Sequence, residues 1–220
     1  MNTLMKQAAV PETGHKAKAA MERSGLYGFL ASVFRAEPTA AMLNDILKAA
    51  FGGALKAAGI DLVDSLSGRS DNDLTQDLAV EYARLFIGPG PHTPPYASVN
   101  LGGGGASLWG PETVRVKRFI EDAGFDYKPD FHSLPDHIAV ELEFMQEMAA
   151  REAKAPEDGN EDQALLNTEA VFLTDHLAPW VPTFCAKITS QARLPFYKEM
   201  AALTVDFILS EEEELAPTPS

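Results

Sequence analysis

The chain has a single cysteine, no long apolar run, and a shortage of positive charge: 18 Lys and Arg face 32 Asp and Glu, leaving it at −14. Each shortage closes off a class of function. One cysteine excludes an internal disulfide and a cysteine-built zinc cluster, and it suits a reducing compartment. Cys185 sits in the apolar stretch WVPTFCAKI, a setting for buried filling more than for a nucleophile. No segment reaches the roughly 20 apolar residues that cross a bilayer, so no stable membrane insertion is expected. The acidic balance argues against nucleic acid, whose phosphates need Lys and Arg, and favours a cationic partner. The opening residues MNTLMKQAAVPETGHK set Pro11, Glu12 and Gly14 where a signal peptide needs apolar residues, which gives the expectation of a cytoplasmic protein.

Also missing is the apolar/polar alternation, rich in Val, Ile and Thr, that marks strands. What is present recurs at helical spacing, so the expected fold is all-α, a single globular domain of about 8 to 11 helices, within reach of a 220-residue chain that is 45% hydrophobic. A first helix is expected over about Lys16 to Arg35, with Leu26, Phe29, Leu30, Val33 and Phe34 on its apolar stripe. A second follows Pro38, with Met42, Ile46 and Leu47 inward, until Gly52 and Gly53 interrupt it. A short helix is expected over Ile60 to Leu66. Ser70 or Asp71 caps a stronger one carrying Leu74, Leu78, Tyr82 and Leu85. Pro111 opens a helix that stops at Gly124, and a long helix runs from about Leu134 to Ala153. Leu165 to Leu177 and the segment after Pro195, with Phe196, Met200, Leu203 and Phe207 inward, complete the set. Glu211 to Glu214 place negative charge at a helix C-terminus, against the dipole, so residues 211–220 are expected to form a flexible acidic tail.

Between Tyr82 and Gly110 lies YARLFIGPGPHTPPYASVNLGGGGASLWG, a connection dense in Gly and Pro that also carries Tyr96, Leu101, Leu108 and Trp109. Long connections are usually functional or disordered, and these apolar side chains point to an ordered, working segment. Its length also permits exchange between copies, so a monomer accompanied by a domain-swapped dimer is expected. The four glycines Gly102 to Gly105 lack the Lys-Ser/Thr of a phosphate-binding loop.

Ionisable residues are densest in SLPDHIAVELEFMQEM. At about 100° per residue Ile138, Leu142, Phe144, Met145, Met148 and Ala149 fill one arc, with Asp136, Glu143 and Glu147 opposite. His137 and Glu141, at i and i+4, fall at the edge of the apolar arc, where imidazole and carboxylate can meet. Either they form a satisfied pair that fixes helix packing, or they mark a polar contact at the edge of a groove. Ser133 and Asp136 fit a capping box at the helix start. A metal reading of Asp136, His137 and Glu141 lacks a second histidine.

Several motifs then follow in order: Tyr82-x-x-Leu85-Phe86, Gly88-Pro89, Pro94-Pro95-Tyr96-x-Ser98, Trp109-Gly110-x-x-Thr113, Pro135-Asp136-His137 and Glu141-Leu142-x-Phe144-Met145. From about Met21 to Phe207 the chain resembles the TorD/DmsD family of cytoplasmic chaperones for molybdenum-containing oxidoreductases. The resemblance implies a helical chaperone domain over residues 15–210, a hinge connection at about 88–110 and a flexible segment at 1–14. It implies binding of the apo-form of a molybdenum oxidoreductase catalytic subunit and of its twin-arginine signal peptide, in support of cofactor insertion and against premature export. The client- or leader-binding residues it implies are Tyr96, Trp109, Pro135, Asp136, His137 and Glu141. Weak guanine nucleotide binding is carried as a further expectation; no catalytic residue, metal or cofactor is assigned. Two positions depart from the family's usual pattern: Ser133 and Ala97 stand where it commonly has Glu. An acidic helical protein with a groove lined by Met145, Met148 and Met200 would complement a leader that is basic and then apolar. The competing readings are a weak nucleotide- or metal-dependent hydrolase using Asp136, His137 and Glu141, and a non-catalytic helical scaffold.

Overall fold

A computed structural model describes residues 12–47, 70–103, 107–128, 131–155 and 160–216. Among these are nine helices and no strand: α1 Glu12–Arg35, α2 Ala40–Leu47, α3 Asp71–Tyr82, α4 Ala97–Leu101, α5 Pro111–Asp122, α6 Ile138–Glu152, α7 Asn160–Phe172, α8 Val181–Gln191 and α9 Pro195–Leu215. The all-α expectation holds. The short helix expected over Ile60 to Leu66, and the break at Gly52 and Gly53, lie outside the described residues. Ser70 caps α3 as its sequence position implies, its Oγ accepting from the Asp73 N–H at 3.2 Å. Pro111 occupies the first turn of α5, and Gly124, at φ 80°, follows its end in the left-handed conformation that glycine takes without strain.

The core gathers on two pairs. α1 packs along α6, and α8 packs on α9. The predicted stripe is buried in full, at Leu74, Leu78 and Tyr82 of α3 and at Leu85 just past its end. It meets the second pair through an aromatic cluster: Tyr82 to Phe86 at 4.9 Å between ring centroids, Phe86 to Tyr197 at 5.9 Å, and Phe34 to Phe184 at 5.7 Å. The two tyrosine hydroxyls find backbone carbonyls, Tyr82 on Phe34 and Tyr197 on Leu78, so burying them leaves no donor unpaired. Met145 and Met148 of α6 and Met200 of α9 are buried core residues and do not together line a groove; Met148 borders a small surface cavity, beside Leu165 and Thr168. Cys185 is buried, which pushes its thiol up to about 12, away from thiolate chemistry.

Two helices end in a wider turn. Gly88 N–H bonds to Ala83 O at 2.6 Å and Ala178 N–H to Leu173 O at 2.9 Å, each spanning five residues. Each such π turn adds a residue to its helix, and both carry the chain out of the core into a connection.

The tail corrects the sequence reading. α9 continues to Leu215, and Glu211 is buried. Glu211 accepts from Tyr27 Oη at 2.9 Å and from Arg23 Nε at 2.8 Å, bonds worth more than the few tenths to 1 kcal/mol of an unfavourable helix-end charge. Arg23, in α1, also pairs with Glu152 of α6 and Glu169 of α7. One guanidinium therefore joins four helices through three carboxylates. Glu169 is 0% exposed with one oxygen unpartnered, and burial raises its carboxyl to about 7, with Arg23 pulling the other way.

Candidate functional site

Residues 93–100 of the Gly/Pro connection are held by hydrogen bonds. Thr93 N–H bonds to Leu85 O at 2.7 Å, and Asn100 Nδ2 donates to the carbonyls of Pro94 and Tyr96, while Lys187 reaches Asn100 Oδ1 from α8 at 3.0 Å. Tyr96 then pairs with His137 in an isolated antiparallel bridge, and α4 begins at the next residue.

Asp136 was expected to cap the helix that follows it; instead it caps α4. Its Oδ2 accepts from the Ser98 N–H at 2.9 Å and its carbonyl from the Ala97 N–H at 2.9 Å, while Ile138 N–H bonds to Pro95 O at 2.9 Å. The capping-box reading fails because α6 starts at Ile138, with His137 as its cap: His137 Nδ1 accepts from the Ala139 N–H at 3.0 Å. That role needs a neutral imidazole. Burial, with Arg35 adding to it, lowers His137 to about 4 and keeps the ring neutral. The His137 ring also stands edge-on to Tyr96, centroids 5.0 Å apart.

His137 and Glu141 do not form the expected pair; each turns to a different partner. Glu141 is fully buried and accepts from Trp180 Nε1 at 3.2 Å, its other oxygen unpartnered. Burial drives its carboxyl well above the ordinary range, the Trp180 bond opposing and Asp136 adding to the rise. Sequence reasoning passed over Trp180, whose signal was a tryptophan at a helix start between two prolines. It also passed over Arg23, a charge at the i−4 position of Tyr27 on the stripe that continues to Leu30 and Phe34.

Of the six residues proposed to contact a client, Pro135, Asp136, His137 and Glu141 are buried and Tyr96 is half-buried. Trp109 alone is open, at 68% exposure, and its backbone sits at φ 65°, a conformation a bulky side chain adopts only when its surroundings impose it. Leu101, Leu108 and Val114, close to Trp109 in sequence, are exposed as well. Ala97 is buried in the first turn of α4, and Ser133 lies on the wall of a cleft of about 730 Å³ with Phe125, Tyr127, Phe131 and Glu143. A second cleft, about 690 Å³, separates α5 from the second π turn, with Leu101, Glu112, Arg118, Asp175 and His176 on its walls. None of the six lines either cleft.

Residues 36–186 match the family model described as nitrate reductase delta subunit. The chain is 28% identical over 156 residues to the chaperone protein TorD of Vibrio parahaemolyticus, covering 70% of this chain and 72% of that one. To TorD of Shewanella pealeana it is 25% identical over 228 residues, covering 96% and 98%. To the chaperone protein YcdY of Escherichia coli K12 it is 32% identical over 143 residues, covering 65% and 67%. A solved chain from Archaeoglobus fulgidus, assigned as a candidate redox enzyme maturation protein, shares the fold at a TM-score of 0.50 and 20% identity, over 99% of this chain and 100% of that one.

Proposed function

The chain belongs to the nitrate reductase delta subunit family, and from that membership we propose that it is a chaperone for molybdenum-containing oxidoreductases whose client surface is the turn bearing Trp109. It binds the apo-form of a catalytic subunit through that subunit's twin-arginine leader, in the cytoplasm, and holds it for cofactor insertion before export. The observation that carries the surface is the exposure of Trp109 on a backbone that fixes its direction. A large exposed ring, with Leu101, Leu108 and Val114 exposed close by in sequence, is an anchor of the kind that dominates interface energy. The −14 charge of the chain draws in the basic end of a leader while this patch takes the apolar segment after it. Among the described residues no helix is long and apolar enough to cross a membrane.

The hydrolase alternative has no geometric support. Asp136, His137 and Glu141 are each turned to a separate structural partner, and His137 spends its free nitrogen on a helix cap.

Calorimetry with a purified twin-arginine leader peptide tests the reading. Trp109→Ala is expected to weaken binding by roughly thirtyfold, the ~2 kcal/mol of an aromatic hot spot. Raising salt from low to about 0.15 M, where the Debye length is near 8 Å, weakens the charged part only, so binding declines without vanishing. Equal affinity of wild type and Trp109→Ala would place the client elsewhere.

A further inference from the structure

We infer that Asp136 and His137 are positioning residues: they set the turn that presents Trp109 to the client and do not touch the client themselves. This rests on the client surface proposed above. The route from Asp136 to Trp109 is continuous. Asp136 is 0% exposed and holds the first turn of α4 twice, by its carboxylate on the Ser98 N–H and by its carbonyl on the Ala97 N–H. His137 fastens the same strand of chain from the other side, through the bridge to Tyr96 and the edge-on contact of the two rings. α4 so held packs on α5. At their junction Gly110 approaches Ser98 so closely that a Cβ on it would lie 3.1 Å from Ser98 Cβ. Trp109 is the residue before that contact. Its left-handed backbone persists only if both flanks are fixed, and Ser98 against Gly110 fixes one of them.

A direct electrostatic role is the competing account, in which the Asp136 charge meets a leader arginine. Burial argues against it, since the carboxylate has no surface to offer. The two accounts part at Asp136→Asn. Asparagine keeps an acceptor oxygen for the Ser98 N–H and gives up the charge. Asp136→Ala gives up both.

The test uses the full chain labelled with fluorotryptophan. Its two tryptophans give two fluorine resonances, assigned with Trp109→Phe, and leader peptide binding is measured on the same samples. Asp136→Asn is expected to bind within about threefold of wild type with its Trp109 resonance in place. Asp136→Ala is expected to lose about tenfold or more, with the Trp109 resonance displaced and that of Trp180 unmoved. Loss by Asp136→Asn equal to that of Asp136→Ala would overturn the inference and assign the effect to the charge. So would weaker binding by Asp136→Ala with an undisturbed Trp109 resonance. Should Asp136→Ala unfold, seen as collapse of the Trp180 resonance, the Asn variant decides alone by its affinity. Should the wild-type protein bind no leader, the client reading fails, while the Trp109 resonance of Asp136→Ala still reports whether Asp136 sets the turn; an unmoved resonance there would overturn the inference.

Discussion

Around Arg23 three carboxylates share one guanidinium, whereas Asp136 and Glu141 lean on neutral donors, a backbone N–H and an indole N–H. Both clusters are buried and both tie helices that are distant in sequence, yet they are satisfied to different degrees. Among the described residues, only Glu169 Oε1 is left unpartnered at the first. At the second, Asp136 Oδ1, Glu141 Oε1 and Ser98 Oγ all lack partners. An unpaired buried polar atom costs about 1 to 3 kcal/mol, so the second cluster draws less of its stabilisation from partners within the protein than the first. The contrast separates a scaffold knot that joins four helices from a setting that carries α4 and the Trp109 turn.

The largest effect is expected at the scaffold knot. Arg23→Met strips the cation from three carboxylates at once, and breaking a buried pair this way costs about 3 to 5 kcal/mol. Urea unfolding is the measurement, and a loss below about 1 kcal/mol would remove the distinction between the two clusters.

Next come opposite responses to pH. The Glu169 carboxyl titrates at about 7 when folded against 4.5 unfolded. Between those values the unfolded chain gives up a proton that the folded chain keeps, so stability falls as pH rises through that window, by about 3 kcal/mol. His137 titrates at about 4 when folded against 6.5 unfolded. There the unfolded chain takes up a proton that the folded chain refuses, so stability falls as pH drops from 6.5 to 4, by a similar amount of about 3 kcal/mol. Glu169→Gln should erase the first slope. His137→Asn, which keeps a cap acceptor, should erase the second. Denaturation curves of both variants against wild type at several pH values between 4 and 8 read the two slopes, and two variants with the same difference profile would refute the assignment.

The smallest effect is expected at the exposed ring itself. Trp109→Ala should change unfolding free energy by no more than about 0.5 kcal/mol, as surface substitutions do, while binding suffers. A larger loss of stability would mean that the ring braces the turn instead of being presented by it.

The sequence was informative wherever a residue's partner lies within one helical turn. The buried stripe of α3, the Ser70 cap and the stop at Gly124 depend on neighbours three or four residues away, and all are found. Asp136 went to the wrong helix because its partner, Ser98, is 38 residues back, and a local cap is the default when no tertiary partner can be seen. The fraying expected from Glu211 failed for the same reason: helix-end charge is a local rule, and Arg23 and Tyr27 override it from the other end of the chain. At the candidate site only Trp109 among the six proposed residues is open to solvent. That four of the six would be buried depends on how α4, α5 and α6 close on one another, which periodicity within any one of them does not encode.

The Arg23 to Glu211 bond joins residues 188 positions apart. At a synthesis rate of roughly 5 to 20 residues per second, about 10 to 40 s separate the emergence of the two partners from the ribosome. Until then Arg23, Glu152 and Glu169 can gather without Glu211, and Tyr27 has no acceptor for its hydroxyl. Contacts so far apart in sequence also close slowly once both ends exist. Newly made copies therefore spend their first seconds with an unlatched bundle, which closes only after Glu211 has been supplied.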